Sequence, residues 1–176
     1  AGHPEGFRLT LHGPNNRYMQ DHQIVQAIAT MFSAIGVETT VVTQDRKLFF
    51  EAMRAYRYSV GLIGFSSGGD LGIMLEDMIH SVSDEFGSFN YGHYSNREVD
   101  ALIIAASQQF NQVKRIRLLM QASELALHDR AIIPLYFDHH DWCLRRDTEA
   151  ELTPTASGVM LYNIRRSQKP LLTQQP

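Results

Sequence analysis

Residues 6–43 read GFRLTLHGPNNRYMQDHQIVQAIATMFSAIGVETTVVT. Phe7–His12 alternates apolar and polar residues, the pattern of a half-buried strand. Gly13-Pro14-Asn15-Asn16 is a turn cluster. Asp21 stands where a helix needs a cap, and Ile24, Ile28, Met31 and Ile35 follow at spacings of four, three and four. Gly36 stops that helix, and the β-branched run Val37–Thr43 reads as a second strand. Strands alternating with helices imply an α/β sheet with helices packed on its faces.

The same alternation continues outward. Residues 46–55 fit a short helix carrying Leu48, Phe49, Ala52 and Met53 inward. Tyr58–Phe65 is a strand that runs into VGLIGFSSGGD, residues 60–70, and residues 71–80 fit another short helix. Ser81–Tyr94 is polar, aromatic and glycine-containing, a loop long enough to be functional or tied to a partner. Ser95 and Glu98 match a capping box, opening a helix with Val99, Leu102, Ile103 and Ala106 on one face. Residues 112–129 form a second helix, whose near-heptad row Val113, Ile116, Met120, Ser123 and Leu127 is expected to face the core. Ile132–Phe137 (IIPLYF) reads as a strand that Pro134 confines to an edge or a bulge. Beyond Arg146 the pattern dissolves, with Val159–Ile164 as one further strand.

With 176 residues the chain can bury a real core as one domain. Apolar residues make up 44% and charged residues 20%, ordinary for a globular protein. A net charge of -3 with no basic run gives no footprint for nucleic acid. No apolar run approaches the ~20 residues of a membrane-spanning helix. Cys143 stands alone, so no disulfide forms within the chain, and it reads as a small buried apolar residue.

Gly64-Phe65-Ser66-Ser67-Gly68 matches G-x-S-x-G, the nucleophile elbow of serine hydrolases. An acid and then a His must follow, and Asp84 or Asp100 with His128, His139 or His140 satisfies that order. The same small residues, Ser66–Gly69, suit any loop leaving a strand towards a ligand, because ligands of α/β sheets bind at the carboxyl ends of strands. Gly68 and Gly69 could cradle an anion with their N–H groups, which Asp70 would oppose; Asp70 also reads as a helix cap. Asp138-His139-His140-Asp141, near Cys143, offers metal ligands, but neighbouring residues on a strand point to opposite faces, so at most two converge. The aromatic segment Phe86–Tyr94 could stack on a ligand or pack beneath the loop itself.

Four stretches together resemble one family: GFRLTLHGPNNRY, DHQIVQAIATMFSAIGVETTV, NYGHYSNREVDALIIAAS and LALHDRAIIPLYF. They are similar, in the same order and with similar spacing, to the periplasmic solute-binding proteins of peptide and nickel ABC transporters (solute-binding protein family 5, the dipeptide/oligopeptide-binding type). The likeness runs from Gly6 to about Arg146. It implies a carboxyl-terminal lobe over residues 1–146 with the type II periplasmic-binding-protein fold, a central mixed sheet flanked by helices. Residues 147–176 would be a tail returning towards an amino-terminal lobe. The implied function is to bind a peptide or similar small solute in the cleft between lobes and deliver it to the permease subunits in the periplasm, without catalysis or cofactor. Serine hydrolysis through Ser66 and nickel or zinc binding stand as the alternatives.

The resemblance also implies where the ligand sits. In the family the strand corresponding to YSVGLIGF ends in Gly-Trp, and the loop after it lines the cleft. Gly64-Phe65 takes that place here, which keeps an apolar face and removes the indole N–H. Peptide-binding members carry an Asp a few residues later for the ligand's α-ammonium, whereas this chain has Ser66, Ser67, Gly68 and Gly69 before its acid, Asp70. The expected ligand contacts are therefore Phe65, Ser66, Ser67, Gly68, Gly69 and Asp70, followed by Asn90, Tyr91, His139 and Asp141.

Overall fold

The computed structural model describes residues 2–138, 143, 145, 148–150 and 164–166. The chain divides into two compact units. The first holds Ala1–Ser66 and Leu71–Ile133, and the second holds Ser67–Asp70 and Pro134–Pro176.

In the first unit, β1 (Phe7–Pro14), α1 (Asp21–Ala34) and β2 (Val37–Gln44) form the expected strand–helix–strand. α2 (Arg46–Arg54) leads to β3 (Val60–Gly61), and the three strands lie in the order β2-β1-β3, all parallel. The register is in phase with the pleat. Alternate side chains go to opposite faces, so Leu9, Leu11, Val60 and Leu62 meet Val25, Ile24 and Ile28 of α1. His12 and Gly61 turn the other way, His12 onto Tyr58 and Gly61 under Met53 of α2. Phe49 and Met53 of α2 then close the second face with Tyr58, Ile63 and Tyr91.

Several local expectations shift. α1 starts one residue earlier than a cap at Asp21 requires: the cap is Gln20, in left-handed backbone at φ 56°. Asp21 is buried inside the first turn, where its carboxylate accepts from the N–H groups of Arg17, Tyr18 and His22 at 3.0, 3.2 and 2.9 Å. Met31 and Ile35, expected inward, are exposed; the buried row is Val25 and Ala29, with Ile24 and Ile28 half-buried beside it. Leu48 of α2 is likewise exposed, while Phe49, Ala52 and Met53 are buried as expected. The strand at Tyr58–Phe65 contributes only Val60–Gly61 to the ladder, extended by the Leu62 N–H bond to His12 O at 2.9 Å.

α3 (Leu71–Met78), α4 (Arg97–Ser107) and α5 (Gln112–His128) make a second core. It joins Leu75 and Ile79 to Val99, Ile103 and Ala106, and to Leu119, Ala122 and Ala126. α4 is capped by Asn96, not Ser95: the Asn96 side chain accepts from Glu98 N and Val99 N at 3.0 and 3.4 Å. The Ser95 hydroxyl instead donates to the Ser81 hydroxyl oxygen at 2.8 Å. The row Val113, Ile116, Met120 and Leu127 of α5 is exposed at 67, 46, 53 and 45%, opposite to expectation. The face that packs holds Leu119, Ala122 and Ala126.

Residues 81–94 join the two cores. Asn90 is buried, donates to His80 O and Tyr94 O at 3.0 and 2.8 Å, and accepts from Tyr94 N at 3.0 Å. Its neighbour Tyr91 packs into the core beside Phe49 and Met53. Gly87 folds the loop back at φ 74°, where a Cβ would lie 2.7 Å from His80 O. Its N–H bonds Glu76 O at 2.8 Å. The long loop thus serves first as mortar between helices and sheet.

Ile132–Phe137 is not a strand. Ile133, Leu135, Tyr136 and Phe137 are exposed, since β-rich composition makes a strand only where a neighbour supplies the ladder. In the second unit, β4 (Thr148–Ala150) pairs antiparallel with β5 (Ile164–Arg166). β4 was not anticipated, and the strand expected at Val159–Ile164 lies outside the described residues apart from Ile164. Among the described residues no helix is long and apolar enough to cross a membrane.

Candidate functional site

Parallel strands end together, so the turns after β1, β2 and β3 gather at one edge of the sheet. After β1, Asn15 N–H bonds Gln44 O at 2.9 Å, tying the β1 and β2 ends. Asn16 then donates to Asp45 Oδ2 at 2.7 Å and accepts from Arg46 N at 2.8 Å. Asp45 caps α2 through Lys47 N at 2.8 Å. The Lys47 N–H bond, with Asn16 second, holds the Asp45 carboxyl below its ordinary range. After β3, Tyr18 reaches across to donate to Gly64 O at 3.2 Å. A Cβ on Gly64 would meet the Tyr18 ring at 3.0 Å, so glycine lets the ring lie against the chain.

That clamp sets Phe65. Its half-buried ring meets Phe89 edge-on, with centroids 5.5 Å apart at 61°. Phe89 meets Tyr91 at 6.0 Å and 80°, and Tyr91 leads to Phe50 at 6.4 Å. Phe50 abuts Phe49 at 5.1 Å, Phe49 abuts Tyr58 at 5.9 Å, and Tyr58 stacks on His12 at 3.7 Å and 9°. Rings therefore run without a break from the interior of the sheet to the strand-end loop. Burial lowers the pKa of His12, and burial raises that of the Tyr91 phenol. Gln44 Nε2 donates to the Tyr58 hydroxyl, which fixes that ring.

Of the residues expected at the site, Phe65 and exposed Ser66 stand at this edge. Ser67–Asp70, in the second unit, form a turn of their own: Asp70 N–H bonds Ser67 O at 3.2 Å, with Gly68 and Gly69 at φ 63° and 90°. Asn90 and Tyr91 are buried, the first holding its loop and the second supporting Phe89. His139 and Asp141 lie outside the described residues, as does His140. Tyr18 and Phe89 complete the edge. Tyr18 carries no sequence signal except its place after a strand, whereas Phe89 belongs to the aromatic segment already singled out.

The edge lacks the anatomy of a nucleophile elbow. An elbow places the serine itself on a strained turn running from strand straight into helix. Here Leu62–Asp70 separates β3 from α3, and the left-handed backbone belongs to Gly68 and Gly69, not Ser66. Asp100 is committed to Ser81, accepting from its N–H at 3.0 Å and its hydroxyl at 2.7 Å. His128 sits beside Asp129 at 3.7 Å. Among the described residues no group of three or more His, Cys, Asp or Glu side chains is placed to hold a metal ion.

No family model matches the chain. It is 25% identical over 138 residues to the probable deoxycholate-binding periplasmic protein YgiS of Escherichia coli, covering 78% of this chain and 24% of that protein. It is 20% identical over 142 residues to the oligopeptide-binding protein OppA of Bacillus subtilis, covering 80% and 26%. HbpA2 of Haemophilus parasuis superposes with a TM-score of 0.74 at 18% identity, over 93% of this chain and 33% of that one. The fold is that of one lobe of a solute-binding protein. The neighbours at similar likeness include the ABC transporter-associated periplasmic binding protein DppA of Helicobacter pylori, in complex with the peptide STSA, and NikZ of Campylobacter jejuni, in complex with Ni(L-His), with TM-scores of 0.63 and 0.61 at 18% and 19% identity. The chain spans 24% and 26% of the length of the two curated relatives described.

Proposed function

We propose that this chain is a ligand-gripping lobe of the solute-binding component of an ABC importer, working in the periplasm with a second lobe and with membrane permease subunits. It grips a peptide or similar small solute and does not transform it. The observation that carries this reading is the strand-end edge, where Phe65 is presented half-exposed on an aromatic backing and exposed Ser66 is not on a left-handed turn. In α/β sheets this edge is where ligands bind. Phe65 packs on the apolar part of the solute, and the small polar groups of Ser66 meet its amides. Closure of two lobes then buries the solute for the permease. Residues 1–146 form the lobe, and residues 147–176 the tail that returns towards the other lobe.

One lobe makes only part of the contacts, and each 1.4 kcal/mol lost is tenfold in affinity. An NMR titration of the chain with short peptides is expected to perturb Gly64–Ser66 and Phe89 with a dissociation constant weaker than about 1 mM. Phe65→Ala removes the response. Micromolar binding by the chain alone contradicts the two-lobe reading, and perturbations confined to another surface overturn the site. A fluorophosphonate probe is expected to leave Ser66 unlabelled; labelling lost in Ser66→Ala would establish the hydrolase instead.

A further inference from the structure

The outward row of α5 calls for a partner. Val113, Ile116, Met120 and Leu127 recur along one side of the helix and are all exposed, while the inward side is already filled by Leu119, Ala122 and Ala126. At 1.5 Å per residue the row is about 21 Å long. Arg117 and Glu124 flank it, seven residues apart, so they lie on the same side of the row. Neither forms an ion pair with another described residue. Together with Gln121 these charged residues and the central apolar ones border a shallow cavity of about 370 Å³.

We propose that a second copy of this chain docks on the row, α5 against α5, antiparallel about a twofold axis. The charges select this occupant and its register. A twofold axis passing midway between Met120 and Gln121 brings each Arg117 level with the second copy's Glu124, so one geometry satisfies both ion pairs at once. The same axis sets the two Met120 side chains near each other at the centre and places Val113 against the second copy's last turn, where Leu127 lies. Such an interface is isologous: one patch complements itself, and the assembly closes at two copies. A single helix pair buries less than the ~800 Å² per partner of a standard interface, so the dimer is a weak one.

Sedimentation equilibrium of the 176-residue chain tests this. The expected mass rises from monomer at about 1 μM to dimer at about 300 μM and stops there. Met120→Glu is expected to stay monomeric throughout, with an unchanged melting midpoint because position 120 is exposed. Arg117→Glu weakens association at least tenfold, and Arg117→Glu combined with Glu124→Arg restores it. A wild-type mass that remains monomeric, or climbs past the dimer, overturns the proposal. So does an Arg117→Glu variant that dimerises as well as wild type. Should Met120→Glu fail to fold, the loss and restoration by charge reversal decide the matter alone.

Discussion

α4 buries Val99, Ile103 and Ala106, whereas α5, packed against it, buries Leu119, Ala122 and Ala126 and leaves its row of Val113, Ile116, Met120 and Leu127 outside. Both helices are apolar along the faces that meet α3, and both are capped by an Asn at the N-terminus. They differ in what limits their packing. α4 supplies the bulk that fills the space between three helices, and α5 supplies the small residues that allow the bulk to fit. The face a helix buries is therefore chosen by fit as well as by hydrophobicity, because interiors are close-packed.

The strongest way to break this contrast is to exchange size between the helices. Ile103→Ala removes a fully buried side chain and is expected to cost about 2–5 kcal/mol in urea denaturation, as large-to-small core changes do. Met120→Ala, at low protein concentration, is expected to stay within about 0.5 kcal/mol of wild type. Equal losses at the two positions would mean that the outward row is buried in solution. The reverse exchange is smaller in effect. Ala122→Leu inserts volume at a fully buried position of this core and is expected to cost about 1–3 kcal/mol. A neutral result would show that the alanine face has slack, and the account of why α5 turns its larger residues outward would fail.

This contrast also marks what the sequence could yield. The strand–helix–strand at the amino terminus was legible because turn residues bracket each element and the Phe7–His12 alternation matches the face contacts of Leu9 and Leu11. The position of the Gly64–Phe65 loop at a strand end was legible for the same reason. In α5, however, apolar residues wrap more than half of the circumference, so periodicity alone offered two faces and the larger side chains indicated the wrong one. Caps at Gln20 and Asn96 fell one residue from their sequence positions because neighbouring polar residues compete: Asp21 was drawn into a buried turn and Ser95 into a bond with Ser81. Ile132–Phe137 has strand composition, yet composition cannot supply the partner a ladder needs. At the site, Tyr18 was invisible because its role exists only once β1 and β3 lie side by side.

The smallest effect sharpens the contrast where the two helices meet at their ends. Tyr94, just before α4, donates its hydroxyl to Asp129 Oδ2 at 2.7 Å, and Asn96 donates to the same oxygen at 2.8 Å. Burial, and then the Asp129 carboxylate, push the Tyr94 phenol up to about 12, from an ordinary value near 10. The folded state thus favours the neutral phenol. Its contribution is complete below about pH 10 and is lost as pH rises from there to about 12. The same two hydrogen bonds hold the Asp129 carboxyl below its usual range, so its contribution is present above that range and lost as pH falls through the depressed value. Tyr94→Phe removes the phenol and leaves the ring. Urea midpoints plotted against pH are expected to fall less steeply for the variant than for wild type between pH 10 and 12, and to converge with wild type there. Parallel curves would mean that Asn96 alone fastens the end of α5, and that the α4–α5 pair is held by its side-chain packing without help from the clip.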